Sequence, residues 1–354
     1  MTVADVRLFP YRLPLAEAVV WNGERRDDRE GVLLRVEDVE GRVGWGDAAP
    51  LPGFSHETLR DVHERLDEIG KALAGRAFEP RAVLPGGSLA STLDGAGIPA
   101  SARFALDLAL ADLAAQDLER TLPQALHPDP DVALPLNGLV MGAGEGAVES
   151  ARRLAEAGYA AVKLKVGRQP VAEDAALVHA VRDALPEAVA LRLDANRAWS
   201  WDEAVGFATA VEGLGLDYVE EPLREPERMP ALWHDTGLPL ALDETLQVAG
   251  GEASIRGWAE AAVLKPTLLG GLGRTLALAA AARAVGVRPV LSAAFESGVG
   301  LRGVAALAAA TGAEPAGLDT YRWLGADVLP PLPFSRPTVD VPGLFASPLT
   351  VSVP

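Results

Sequence analysis

Apolar and polar positions follow two different rhythms along this chain. In the first third, Val32-Leu33-Leu34-Arg35-Val36-Glu37 reads as a strand, Glu40-Gly41 as a turn, and Val43-Gly44-Trp45-Gly46 as the strand that returns from it. Two apolar runs about a glycine-containing turn predict a hairpin. A loop rich in Gly and Pro, residues 48–55, leads into a helix that starts near Ser55 and runs to about Leu73. Asp94-Gly95-Ala96-Gly97-Ile98-Pro99 gives a second loop, and residues 101–116, dense in Ala and Leu, predict a buried helix. The first third is therefore expected to be α+β.

From Val132 onward, short apolar runs alternate with Ala-rich helical stretches. Strands are predicted at Leu134 to Val140, Ala161 to Val166, Ala190 to Asp194, Leu216 to Glu220, Leu240 to Asp243, Ala262 to Lys265 and Pro289 to Ser292, with helices at 147–157, 172–184, 201–214 and 271–285. Such alternation specifies a parallel sheet. Its spacing favours a barrel. Lys165, Asp194, Glu220, Asp243, Lys265 and Ser292 follow one another at intervals of 29, 26, 23, 22 and 27 residues, each at or beside a strand's C-terminal end. One strand–helix unit takes about 30 residues, and barrel active sites gather at that end. The glycines of Gly142-Ala143-Gly144-Glu145-Gly146 follow the first strand, but their pattern is not the dinucleotide fingerprint of an open sheet.

Composition narrows the chemistry. The chain has 354 residues, 49% of them hydrophobic, which is enough for a large core. No apolar run approaches the ~18 residues of a membrane span. The opening MTVADVRLFPYRLPL lacks the basic start and apolar stretch of a signal peptide, so a cytoplasmic location is expected. A net charge of −17 argues against nucleic acid and anionic membranes as partners. With no cysteine, any metal is held by oxygen or imidazole. None of the five histidines falls in a zinc motif.

Asp194, Glu220 and Asp243 each end a hydrophobic strand, so a barrel turns all three toward one mouth. Converging carboxylates repel unless a cation lies among them, and an all-oxygen set favours Mg²⁺, then Mn²⁺. Lys163 and Lys165, two apart on one strand, leave on the same face, where each disfavours the other's charge. Lys265 lies about four strands away and needs a buried partner, which Asp243 or Glu244 supplies. A cation beside a substrate carboxylate makes the neighbouring C–H acidic, and a lysine on each face can serve as base, acid or electrostatic partner.

Lys163-Leu164-Lys165, Asp194-Ala195-Asn196, Glu220-Glu221-Pro222, Asp243-Glu244 and Lys265-Pro266, in this order and spacing, resemble the enolase superfamily and its muconate-lactonizing subgroup. The resemblance spans nearly the whole chain. It implies a modified (β/α) barrel over 126–320, an N-terminal α+β capping domain over 1–125 whose loops close the mouth, and a segment 321–354 that returns to the cap. It implies Mg²⁺ on Asp194, Glu220 and Asp243, Lys165 as the base tuned by Lys163, and Lys265 on the opposite side. Within the subgroup, Gly44 to Ser55, Pro135-Leu136-Asn137-Gly138-Leu139, Arg192 to Trp199 and Gly317-Leu318-Asp319-Thr320 are similar to the o-succinylbenzoate synthase family. That implies a carbon–oxygen lyase which dehydrates 2-succinyl-6-hydroxy-2,4-cyclohexadiene-1-carboxylate in menaquinone biosynthesis.

Ser292, Gly317 and Asn137 are then the candidate substrate contacts, with Glu296 and Ser297 near the substrate's distal part, and Phe54 and Trp21 as candidates for the lid. Arg192, Asn196 and Glu244 are candidate supports of the ligands. The partner is a small-molecule carboxylate, and the composition leaves homo-oligomerisation open. An N-acylamino acid racemase or dipeptide epimerase of the same subgroup is the alternative. The Asp-x-Asp motif associated with dipeptide epimerases is absent from Leu291-Ser292-Ala293-Ala294-Phe295-Glu296. A catalytically silent binding barrel would be signalled by loss of a ligand or a lysine, and none is lost. Barrel aldolases and hydrolases lean on histidine ligands, and no histidine falls at a strand end here.

Overall fold

The computed structural model describes residues 1–21, 23–93, 96–248, 250–312 and 314–352. Asp94 and Gly95 of the expected loop, and the side chain of Trp21, lie outside the described residues. The N-terminal third is an antiparallel sheet in the order β1 (Val3–Trp21), β2 (Glu24–Asp38), β3 (Val43–Ala48). The β2–β3 hairpin is the one expected from the sequence. The 19-residue β1 is not signalled there, because Pro10 and Pro14 interrupt it. It can hold them as the edge strand of this sheet, where a missing amide on the side away from β2 costs little.

The helix Leu59–Leu73 starts four residues beyond Ser55. Thr58 caps it, accepting from the Asp61 amide while the Asp61 carboxylate accepts from the Thr58 amide. The helix Ala100–Asp117 lies buried against β3. The two glycines of Gly44-Trp45-Gly46 make that approach possible, since a Cβ on Gly46 would lie 1.9 Å from the Ala105 carbonyl oxygen and one on Gly44 2.0 Å from that of Ala109.

The rest of the chain builds a parallel sheet of seven strands: β5 (Asn137–Val140), β6 (Ala161–Lys165), β7 (Ala190–Asp194), β8 (Tyr218–Glu220), β9 (Leu240–Leu242), β10 (Ala259–Leu264) and β11 (Arg288–Leu291). Ala316 bridges to Leu136 beside β5, and Gly317 bridges to Ser292 beyond β11, so these two residues close the curl where an eighth strand would stand. Helices such as Gly144–Glu156, Val171–Ala184 and Leu272–Ala284 cover the outside. Between β9 and β10 the described residues form two 3₁₀ turns and no α-helix. Tyr218, Ala241, Ala261, Val263 and Val290 form one apolar cluster of the inward-facing row.

One expectation about this part needs correction. The run Leu134 to Val140 is not one strand. β4 (Ala133–Pro135) pairs with β12 (Thr338–Asp340) in a separate two-stranded sheet, and the chain joins the barrel from Leu136 onward. The C-terminal segment meets the cap where Leu324 bridges to Leu15 and the Gly325 amide donates to the Pro14 carbonyl, and further on β12 pairs with β4.

Candidate active site

Strand register sets the site. Lys165 pairs with Asp194, and Asp194 with Glu220, so the last residues of β6, β7 and β8 stand in one row. Asp243 and Lys265 come directly after β9 and β10. Lys163 reaches up from the row beneath, with Nζ 2.6 Å from Glu220 Oε2 and 2.7 Å from Asp194 Oδ2. Lys165 Nζ lies 2.6 Å from Asp194 Oδ2 and donates to Asn196 Oδ1 at 2.7 Å. From the far side, Lys265 donates to Asp243 and lies 3.7 Å from Glu220 Oε1. The structure therefore brings together all six groups singled out from the sequence. The three carboxylates are essentially shut off from solvent.

Support comes from the loops after β7, β8 and β9. Asn196 donates through Nδ2 to Glu244 Oε1 at 3.0 Å, linking Lys165 to the segment after Asp243. Glu221, which sequence reading included only as part of a motif, is a buried anchor. Its Oε1 accepts from the Asp243 amide at 2.9 Å and the Thr245 amide at 2.7 Å, while Oε2 accepts from Arg197 Nε at 3.0 Å. Asn196, Arg197 and Glu221 have φ of 44°, 60° and 42°, left-handed values that non-glycine residues adopt at a cost and that cluster at functional sites. That backbone cluster had no sequence signal.

Arg192 is not among these supports. It pairs in register with Lys163, but its guanidinium turns away, donating to Asp217 Oδ2 at 2.8 Å and the Pro315 carbonyl at 2.7 Å, with the Tyr218 ring 5.2 Å away.

The charges perturb one another. Burial, aided by the Lys163 and Lys265 charges and opposed by Asp194, pulls the Lys165 ammonium below the ordinary lysine range. Burial also works against a charged Lys163, but Asp194 and Glu220 outweigh it and hold its pKa well up. Lys265 is raised in the same way, mainly by Asp243. Burial, together with the neighbouring Asp194 charge, pushes Glu220 up to about 8. For Asp194, the lysines overcome burial and keep it low.

Lys163, Lys165, Lys265, Asp194, Asn196 and Glu244 line a cavity of about 780 Å³ at the mouth. Asn137, Ser292 and Gly317 line it on the sector of β5, β11 and the closing residues, and Phe54 reaches it from the cap. A Cβ on Gly317 would lie 2.5 Å from Ser292 Oγ, so only glycine leaves that corner open. Glu296 and Ser297 are buried behind the wall and bonded to Thr267 and Asp47.

The donor set is one that a hard divalent cation takes. Among the described residues no three carboxylates or imidazoles already stand as a finished metal cage, because the lysines draw the acids to themselves. Yet Glu220 Oε1 and Glu244 Oε2 are buried with no hydrogen-bond donor, the condition of oxygens that a cation would satisfy.

Comparison with known proteins bears on this geometry. The family described as enolase C-terminal domain-like matches residues 146–344, and the one described as MenC, N-terminal domain matches residues 3–90. o-Succinylbenzoate synthase from Edwardsiella ictaluri is 32% identical over 334 residues, spanning 91% of this chain and 92% of that one. The Vibrio cholerae protein of the same name is 33% identical over 347 residues, with 93% and 92% covered. Among solved structures, N-succinyl Arg/Lys racemase from Bacillus cereus superposes with a TM-score of 0.87 at 21% identity, covering 99% of this chain and 96% of that one. A dipeptide epimerase from Enterococcus faecalis, complexed with Mg and L-Leu-L-Tyr, gives 0.86 at 23%, covering 96% and 97%. At these identities the structural likeness speaks for the fold.

Proposed function

This chain belongs to the enolase superfamily and, within it, to the o-succinylbenzoate synthase family, and we propose that it dehydrates 2-succinyl-6-hydroxy-2,4-cyclohexadiene-1-carboxylate. The observation that carries the reading is the meeting of Lys163, Lys165 and Lys265 with Asp194, Glu220 and Asp243 at one barrel mouth. The relatives named for this reaction match along nine-tenths of their length.

In this reading Asp194, Glu220 and Asp243 hold one divalent cation, Mg²⁺ or Mn²⁺. The cation supplies positive charge beside the substrate carboxylate and so acidifies its α-C–H. Neutral Lys165 takes the α-proton at Nζ. The electron pair left on carbon forms the new ring double bond as the C6–O bond breaks. The Lys165 ammonium gives its proton to the departing hydroxyl, so water leaves, the ring becomes aromatic and the lysine returns to its starting state. Lys163 holds Asp194 and Glu220 in place, Asn196 orients Lys165, and Lys265 adds a fixed positive charge from the far side. Ser292, Asn137 and the space left at Gly317 receive the succinyl arm.

The presence of lysines on two sides of the cavity favours one second reading, racemisation of N-acylamino acids, in which each lysine handles one face. The test is turnover of the cyclohexadiene substrate with Mg²⁺, beside EDTA-treated enzyme and Lys165→Ala. Turnover lost in both controls supports the synthase. No turnover by folded, metal-loaded enzyme overturns it and directs the assay to α-deuterium exchange of N-succinylamino acids.

A further inference from the structure

Arg29 lies in β2 at the seam between cap and barrel and is 1% exposed. Every hydrogen bond it makes among the described residues ends on a main-chain carbonyl. On the cap side Nη2 donates to Ala49 at 2.5 Å, and Nη1 to Pro50 at 2.7 Å and Glu30 at 2.9 Å. On the barrel side Nε donates to Phe295 at 2.9 Å, and Nη2 lies 3.4 Å from the Ala294 oxygen. The nearby Asp47 carboxylate offsets part of the cost of burying this charge, but it takes none of the guanidinium's hydrogen bonds, which go to main-chain carbonyls on both sides of the seam.

The carbonyls it selects are informative. Ala49 and Pro50 lead into Leu51, Gly53 and Phe54, which line the cavity, and Ala294 and Phe295 line it themselves. Phe295 holds a left-handed φ of 60°, a conformation that persists only when its surroundings impose it. A second link crosses the same seam. Asp47 at the end of β3 accepts from the Ser297 amide at 2.8 Å and from Ser297 Oγ at 2.7 Å, and its other oxygen accepts from Tyr11.

We propose that Arg29 is a positioning residue that binds the cap loop after Ala49 and the barrel segment 294–295 into one rigid cavity wall, setting how the substrate's distal part is gripped without touching the substrate. Arg29 contacts neither the lysines nor the carboxylates of the mouth. Its loss therefore weakens substrate binding and leaves the proton transfers largely intact. The planar fork is what matters. Lysine keeps the charge but has three donors on a flexible stem.

The inference uses the proposed reaction only for its kinetic readout. Arg29→Lys is expected to raise KM by roughly tenfold or more, with kcat within about threefold. In Arg29→Ala, ethylguanidinium, but not ethylammonium, restores part of the lost affinity. Amide hydrogen exchange at 51–56 and at 293–297 quickens together in both variants. An unchanged KM, a fall in kcat alone, or faster exchange on one side of the seam only would overturn the proposal. If neither variant folds, the wild type decides: the two segments must gain protection together on adding o-succinylbenzoate, and independent responses overturn it. Wild-type enzyme without turnover would sink the synthase reading while leaving the exchange comparison of the variants in force.

Discussion

Asp319→Asn tests whether the buried polar contacts of the closing segment are as the structure draws them. Asp319 is 1% exposed. Its Oδ2 accepts from the Leu139 amide at 2.8 Å and Arg322 Nε at 3.1 Å, and Oδ1 accepts from the Tyr159 hydroxyl at 3.3 Å. Burial outweighs Arg322 and those bonds and pushes the carboxyl from 3.8 up to about 6. A rise of that size corresponds to roughly 3 kcal/mol.

The direction follows from proton counting. Below about pH 4 both states are protonated and no penalty acts. Between about pH 4 and 6 the unfolded chain has released the proton while the native state retains it, so native stability falls as pH rises. Above about pH 6 the full penalty remains. Asparagine does not titrate, and its amide can still serve Leu139 and Tyr159. The difference in unfolding free energy, wild type minus Asp319→Asn, should thus drop by roughly 3 kcal/mol from acid to neutral pH. Urea unfolding of both proteins across that range measures it, and the other titrating groups cancel in the difference. A difference that stays flat, or grows with pH, refutes the reasoning.

Removing Lys165 as alanine should cost about 10²–10⁴ in kcat, the usual share of a general base, with thermal unfolding showing that the fold persists. Lys265→Ala should also slow turnover, and α-deuterium exchange in that variant separates a charge role (exchange slowed alongside turnover) from a second-base role (exchange retained on one face only). Chelation should abolish activity, and added Mg²⁺ should raise the melting temperature through Asp194, Glu220 and Asp243 by mass action; Asp243→Asn should blunt that rise. In the outer layer, Phe207 is wholly buried with its ring 4.3 Å from Trp199, and Phe207→Ala should destabilise by about 3–5 kcal/mol in urea titrations.

The barrel was legible because its rule is periodic. Each strand is a short apolar run, and from β6 to β10 each ends on or just before a charged group whose burial would be unfavourable anywhere but an active-site mouth. That is why Lys165, Asp194, Glu220, Asp243 and Lys265 could be placed by counting. What escaped has no period. β1 hides behind its prolines, Leu136 breaks one apparent strand into two sheets, and the closing pair Ala316–Gly317 is too short to signal a strand. Arg192 shows the limit of reasoning by neighbourhood. It shares an inward face with Asp194 two residues on, yet Asp217 and the Pro315 carbonyl draw its long side chain the other way. Glu221 points to the complementary lesson. It follows a site carboxylate and so projects to the opposite face, where it pins the backbone of the next strand end.

Charge balance at the mouth gives a reason for a cation of charge two. The ammonium groups of Lys163, Lys165 and Lys265 face four buried or largely buried carboxylates, those of Asp194, Glu220, Asp243 and Glu244. With all four ionised this arrangement is one positive charge short, a shortfall that protonation of Glu220, pushed up to about 8, relieves while no cation is bound. The proposed reaction needs Lys165 neutral, which widens the deficit of the ionised set to two. In a site closed to solvent, an imbalance of two charges is far more unfavourable than at a surface. A divalent cation removes it, whereas a monovalent one leaves half. The same count explains why Lys163 and Lys265 are held above the ordinary lysine range while Lys165 is pulled below it. Lys163 lies against two carboxylates and Lys265 against Asp243 with Glu220 near, but Lys165 has one carboxylate and a neutral Asn196, with two other ammonium groups close enough to repel it. The residue with the poorest share of negative charge is the one proposed as the base.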